Sequence, residues 1–211
     1  YVIVDNGGRI DQWMHDLPRH KTEVIRPGRN VGCAGAWNLI LRNSEDDVII
    51  SNDDVVLDHD TLQRLVEAAA IPGVGFAWPG LSSLPWSLFL QKKWLTGRIG
   101  EYDDTFHPIY FEDNDYHYRM RLQGFDYTEV PGVGYQHAGS ATLNSLPAVE
   151  RSRHDERFRR NQAYYLHKWG GLPGQETRVT PYHLDHAFEE RCRRPSDINE
   201  HMPTLRRLAS E

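Results

Sequence analysis

Along the first eighty residues, short β-rich apolar runs alternate with stretches whose apolar positions recur at helical spacing. Tyr1 to Asp5 (YVIVD) reads as a buried strand ending in the turn NGG, and Ile10 to Leu17 as a short helix. A second strand, Glu23 to Arg26, runs into the Gly-rich loop PGRNVGCAGAWN, and Ala34 to Arg42 then places its apolar residues on one helical face. Asp47 to Ser51 is a third strand and leads into the acidic turn NDD. Thr61 to Ala70 reads as a helix with Asp60 as its N-cap, followed by a fourth strand from Gly73 to Trp78. The order β-α-β-α-β-α-β predicts an α/β domain on a mainly parallel sheet flanked by helices.

Past Trp78 the period fades. The stretch from Pro85 to Phe111 scatters Trp86, Phe89, Trp94, Tyr102, Phe106, Tyr110 and Phe111 among turn formers, as core or as pocket wall. Glu112 to Gln123 is helical and is closed by Gly124 at C′; the strand DYTEV and the segment PGVGYQHAG follow. A further helix is predicted from Asp155 to Lys168, then the loop KWGGLPG and a basic tail carrying Arg191, Arg193, Arg194, Arg206 and Arg207.

Composition narrows the function classes. With 211 residues, 39% of them hydrophobic and 11% aromatic, the chain can bury one sizeable core without staples. A net charge of −6 argues against a nucleic-acid partner held by general phosphate neutralisation. Cys33 and Cys192 lack any CxxC or Cys/His spacing, so neither a disulfide framework nor a zinc module is indicated. No apolar run is long enough for a membrane span, and the expectation is a cytoplasmic protein. The glycines from Gly28 to Gly35 match neither GxGxxG nor a Walker loop.

Three places hold candidate chemistry. Asn52, Asp53 and Asp54 follow the run VII directly, at the carboxyl edge of the sheet where open α/β folds bind ligands. An oxygen-rich cluster of this kind suits Mg²⁺ or Mn²⁺; taken in isolation it is more often a solvated acidic turn with Asp capping a helix. In FEDND, Phe111 to Asp115, three acids open a helix, which complements the helix dipole and also offers a carboxylate as general base beside an aromatic wall. His137 in GYQHAGS is a ligand or a hydrogen-bonded structural residue.

Taken in order, VIVDNGG, RNVGCAGAWN, DDVIISNDDVVLD, GRIGEYDDTF, YFEDNDYHYRMRLQGF and VGYQHAG resemble the family-2 glycosyltransferases of the GT-A fold. The resemblance runs from Tyr1 to about Gly171. It implies a Rossmann-like, mainly parallel sheet flanked by helices, with a small antiparallel second sheet. It further implies a GT-A domain over 1–171 that begins at the family's second strand, followed by a basic extension over 172–211 packing on or near it. The activity implied is transfer of a sugar from a UDP-, GDP- or dTDP-sugar to an acceptor hydroxyl with inversion, of the hexosyl- or deoxyhexosyltransferase class. The acceptor is a glycan, a lipid-linked group or a protein.

By this resemblance Asp5 and Asn6 contact the base or ribose, and Arg29, Asn30, Gly32 and Asn38 pack under the nucleotide. The DxD position falls on Asn52 to Asp54, with Asn in its first place. Asp54 and His137 then hold Mn²⁺ or Mg²⁺, Asn52 and Asp53 belong to the nucleotide-sugar site, Asp113 is the catalytic base and Glu112 orients the acceptor. Two other readings stay open at this point: a nucleotidyltransferase that makes sugar nucleotides, for which a basic phosphate loop is missing, and a catalytically inert GT-A domain that binds nucleotide sugar or glycan.

Overall fold

The computed structural model describes residues 1–81, 85–137 and 148–184. The tail arginines, Cys192 and the residues after His137 in the QHAG motif lie outside these, as does the extension beyond residue 184. In chain order the elements are β1 (Val2–Val4), β2 (Glu23–Ile25), α1 (Gly32–Arg42), β3 (Val48–Ser51), β4 (Val55–Leu57), α2 (Thr61–Ala69), β5 (Phe76–Pro79), β6 (Leu88–Gln91), α3 (Lys93–Ile99), α4 (Glu112–Leu122), β7 (Thr128–Val130), β8 (Tyr135–His137) and α5 (Ala148–Trp169). They fall into two compact units: Tyr1–Asn43 with Glu101–Asp115 and Arg157–Glu211, and Ser44–Gly100 with Tyr116–Glu156.

In the first unit β1 and β2 pair in parallel, Ile3 opposite Val24. Between them the predicted helix over 10–17 is only a 3₁₀ turn, Ile10–Trp13, that buries no residue; its Trp13 is 58% exposed. A segment with no apolar face to bury has nothing to offset the cost of nucleating a longer helix. α1 does have such a face, burying Ala34, Trp37 and Leu41, with the Trp37 ring edge-on to Tyr102 at 4.8 Å. The C-terminal part of α5 contributes Tyr165 and Trp169, both fully buried.

The second unit holds a four-stranded sheet in the order β3-β6-β5-β7, and here the expectation of a mainly parallel sheet fails. Only β5 and β7 run parallel; β6 lies antiparallel to both β3 and β5. The cause is the connection from β5 to β6, residues 80–87, which is too short for a crossover and can only reverse direction. Leu65 and Ala69 of α2 pack on the sheet with Ala77, Leu88, Leu90, Val130 and Tyr135 as one apolar core. β4 and β8 form a separate two-stranded antiparallel sheet in which Val55 faces His137.

Two helix ends test the capping expectations. Asp60 sits at the N-cap of α2 but with φ of +66° and no side-chain capping bond; its carboxylate meets His59 at 2.6 Å instead. α4 ends as predicted: Gly124 has φ of +77°, its N–H donates to the Arg121 carbonyl at 3.0 Å, and Phe125 N–H donates to Met120 at 2.9 Å. Among the described residues, no helix is long and apolar enough to cross a membrane.

Candidate functional site

In the first unit, the loop between β2 and α1 is tied to the end of β1 by one side chain. Asn6 Oδ1 accepts from Val31 N–H at 2.7 Å, and its Nδ2 donates to the Gly32 carbonyl at 3.2 Å. Asn30 Oδ1 accepts from Gly32 N–H at 2.8 Å, closing the turn that starts α1. Gly32 has φ of +76°, and a Cβ there would stand 2.9 Å from the Pro108 carbonyl oxygen, so the position demands glycine. Asp5, half-buried, accepts from Arg9 N–H at 2.9 Å, and Arg29 is exposed. Asn38 is buried: its Nδ2 donates to Tyr102 O at 2.8 Å and its Oδ1 accepts from Tyr102 N–H at 2.9 Å. Both ends of that amide are thus used inside the fold, where they tie α1 to the backbone of Tyr102.

The acidic pair opens α4 in two different environments. Glu112 is 3% exposed, and its Oε2 finds no hydrogen-bond partner among the described residues. Burial, and then the Asp113 charge, push its carboxyl up to about 8, against the pull of backbone N–H groups and of the Cys33 thiol that donates to it. Glu112 therefore carries a proton at neutral pH. Asp113 is half-buried, and its Oδ1 accepts from Asn114 N–H at 2.8 Å. The same surroundings act on Cys33: burial, followed by Glu112 and Asp113, holds its thiol well above the usual range.

Behind this turn lies a buried ionic cluster. Lys168 Nζ, fully buried, stands 2.6 Å from Asp103 Oδ2 and 2.6 Å from Asp115 Oδ1. Trp169 Nε1 donates to Asp115 Oδ1 at 2.8 Å, and Tyr164 OH donates to Asp103 Oδ2 at 2.8 Å. By sequence alone KWGGLPG reads as a loop, Asp115 counts only among the acids that open α4, and Asp103 has no role. A buried cation is visible in sequence only as a Lys inside an otherwise apolar helical stripe, which is what YYLHKW shows.

In the second unit, Asn52 N–H donates to the Ser87 carbonyl at 2.9 Å, Asp53 is exposed and Asp54 half-buried. The pairing of β4 with β8 brings Asp54 Oδ1 to 3.0 Å from His137 Nε2. The His137 ring stands edge-on to Tyr135 at 6.5 Å, and its Nδ1 is buried without a hydrogen-bond partner among the described residues. Among those residues no group of three or more His, Cys, Asp or Glu is placed to hold a metal ion. The donor set is therefore no closed protein cage. Two donors 3.0 Å apart nevertheless match neighbouring positions on an octahedral cation with bonds of about 2.1 Å, and Mg²⁺-type ions commonly take one or two protein ligands and complete their shell with water and phosphate. The pair fits such an ion.

Helices around a mixed sheet, an acidic turn after a strand and a second acidic pair opening a helix place the chain in the GT-A-like class of α/β folds. A mannosyltransferase, PcManGT from Pyrobaculum calidifontis, solved in complex with GDP-Man and Mn²⁺, shares this fold with a TM-score of 0.57 and 17% sequence identity, over 99% of this chain. The chain spans 64% of the length of that structure. The profile of glycosyl transferase family 2 matches residues 1–126, and the chain belongs to that family. No curated protein matches it.

Proposed function

We propose that the chain transfers a sugar from a nucleotide-activated donor to an acceptor hydroxyl, with inversion at the anomeric carbon. The observation that supports this best is the contact between Asp54 and His137, which joins two motifs far apart in sequence at a spacing suited to one divalent cation. Asp54 and His137 would hold Mn²⁺ or Mg²⁺, with Asn52 and Asp53 beside them on the donor. When bound, that ion supplies charge neutralisation for a departing nucleotide diphosphate.

The remaining work falls to the chain's own groups. Asp5, just after β1, and Arg29, within the β2–α1 loop, would take the base and ribose, on a loop whose shape Asn6, Asn30 and Gly32 maintain, with Asn38 fixing α1 beneath the nucleotide through Tyr102. Of the two carboxyls that open α4, Glu112 is protonated at neutral pH and so donates rather than accepts. Asp113 is then the proton acceptor, drawing the hydroxyl proton as the acceptor oxygen attacks. Glu112 would hydrogen-bond to that acceptor and orient it. A carboxyl that its buried surroundings keep protonated, beside a second and more accessible one, is a common division of acid and base roles.

The relative solved with GDP-Man and Mn²⁺ makes a GDP-sugar the first donor to try. Calorimetry with GDP-mannose, UDP-glucose and dTDP-rhamnose, with and without Mn²⁺, followed by an assay for released nucleotide diphosphate, tests the reading. Asp54→Ala is expected to remove the metal-dependent part of donor binding. Asp113→Asn is expected to keep donor binding within about threefold while turnover drops by about 10³, the scale of a lost general base. Equal loss of binding in both variants contradicts the assignment of the base, and no binding of any donor by the unaltered chain contradicts the function.

A further inference from the structure

The turn that presents Glu112 and Asp113 has an unusual backbone. Two consecutive residues before it, Tyr110 and Phe111, have φ of +83° and +75°. For bulky side chains this region is disfavoured, and it persists only where the surroundings over-determine it. Within the first unit those surroundings come largely from one helix. Asn161, 1% exposed, donates from Nδ2 to the carbonyls of Ile109 at 2.9 Å and Tyr110 at 3.2 Å. Arg160 Nη2 donates to the His107 carbonyl. The Phe158 ring lies 5.3 Å from those of Tyr110 and Phe111, and Tyr165 lies 5.6 Å from Phe111. One turn further on, Lys168 and Trp169 grip Asp115, two residues after Asp113. Positions 158, 161, 165, 168 and 169 recur at three and four residues, so a single face of α5 is given over to this turn.

We propose that this face of α5 is the positioning element of the reaction, with Asn161 as its central positioning residue and Lys168 as its anchor. It touches neither donor nor acceptor and acts by holding residues 109–115 in a conformation they would not adopt alone, so that Asp113 is aimed before substrate arrives. This rests on the reading of Asp113 as the base. Catalysis by placement is sensitive to it, since a displacement of about 1 Å in a reacting group costs on the order of 10²-fold in rate.

The test is Asn161→Asp, which keeps the shape of the side chain but turns a donor facing two carbonyls into an acceptor. The assay is release of GDP or UDP from GDP-mannose and UDP-glucose with Mn²⁺. The expected result is a fall in kcat of about 10²-fold with the donor KM within about twofold. A second readout is independent of turnover. Cys33 donates its thiol to Glu112, so its alkylation by iodoacetamide in a Cys192→Ser background reports where the turn sits. At about pH 8 that rate is expected to rise about tenfold in Asn161→Asp, as the thiol escapes the two carboxyls. If Asn161→Asp does not fold, Asn161→Gln, which keeps the carboxamide but displaces it, is expected to move both readouts in the same directions by less.

A folded Asn161 variant with unchanged kcat and unchanged Cys33 alkylation overturns the proposal, and so does a fall in kcat with Cys33 unaffected. Faster alkylation in the variant, where even the unaltered chain turns over no donor, sinks the glycosyltransferase reading and leaves the clamp standing.

Discussion

Replacing Lys168 by Met removes one cation from between two buried carboxylates while nearly preserving side-chain volume. The consequence can be worked from the contacts. Lys168 reaches Asp103 and Asp115 at 2.6 Å each, with side-chain exposures of 0%, 5% and 0% for the three residues. Breaking a buried pair by deleting one partner costs about 3–5 kcal/mol, because the other charge is left uncompensated. Each carboxylate keeps other donors, Tyr164 OH and Thr105 N–H for Asp103 and Trp169 Nε1 for Asp115, which keeps the loss within that range although two acids are orphaned. Against a total stability of about 5–15 kcal/mol, this is a large fraction.

The same substitution has a pH signature. Burial alone pushes Asp103 up, but the Lys168 charge and the hydrogen bonds from Lys168, Thr105 and Tyr164 outweigh it and hold the carboxyl below its usual range. In the unaltered chain Asp103 therefore contributes stability that is present above about pH 4 and lost only as pH falls through its depressed folded value. Without Lys168 burial is opposed only by the Thr105 and Tyr164 hydrogen bonds, the folded state takes up protons more readily, and the variant recovers stability as pH falls from about 7 towards 5. Urea unfolding followed by tryptophan fluorescence is expected to show a midpoint about 1.5–2.5 M lower for Lys168→Met at neutral pH, for a slope near 2 kcal/mol/M, and a smaller gap near pH 5. A loss below about 1 kcal/mol, or one equal at both pH values, would mean that the cluster is not the uncompensated buried charge argued for.

Two further outcomes follow from the geometry of the first unit. Because the folded state holds Glu112 at about 8, against an ordinary carboxyl near 4.5, the native chain binds an extra proton between those values and loses stability as pH rises through that window. Glu112→Gln is expected to remove this slope, at most about tenfold in the unfolding equilibrium per pH unit, and to raise Tm near pH 8; an unchanged slope of Tm against pH would remove the basis for calling Glu112 protonated. Gly32→Ala forces a side chain into a left-handed position 2.9 Å from a carbonyl oxygen and is expected to cost about 1–3 kcal/mol in denaturant unfolding, whereas Gly28→Ala, with no atom near its Cβ, carries only the backbone part of that penalty.

Elements with a local signature were readable in the sequence. β1, β2, β3 and β7 lie within predicted strands, β5 runs one residue past its own, and α1, α2 and α4 end within a residue or two of their predicted spans, because burial on one face imposes a period that neighbouring residues share. β6 was hidden in the aromatic stretch after Pro85, since LFLQ is buried at all four positions and alternates with nothing. α3 was missed for a related reason: only Leu95 and Ile99 of its seven residues are buried, too few to set a period. The acidic and histidine motifs were legible through the family resemblance, but the protonation of Glu112 was not. It depends on Cys33 and on burial by residues distant in sequence. Lys168 and Asp103, 65 residues apart, meet by tertiary packing that no local pattern announces.

That separation sets an order of events during synthesis. Lys168 is made 65 residues after Asp103, and at roughly 5–20 residues per second the nascent chain carries that acid without its counter-ion for about 3–13 s. A fragment cut at residue 126, where the family profile stops, would possess the whole acidic pair yet have no lysine with which to bury the ground beneath it. The charge balance beneath that pair is completed only once the last turn of α5 has been made.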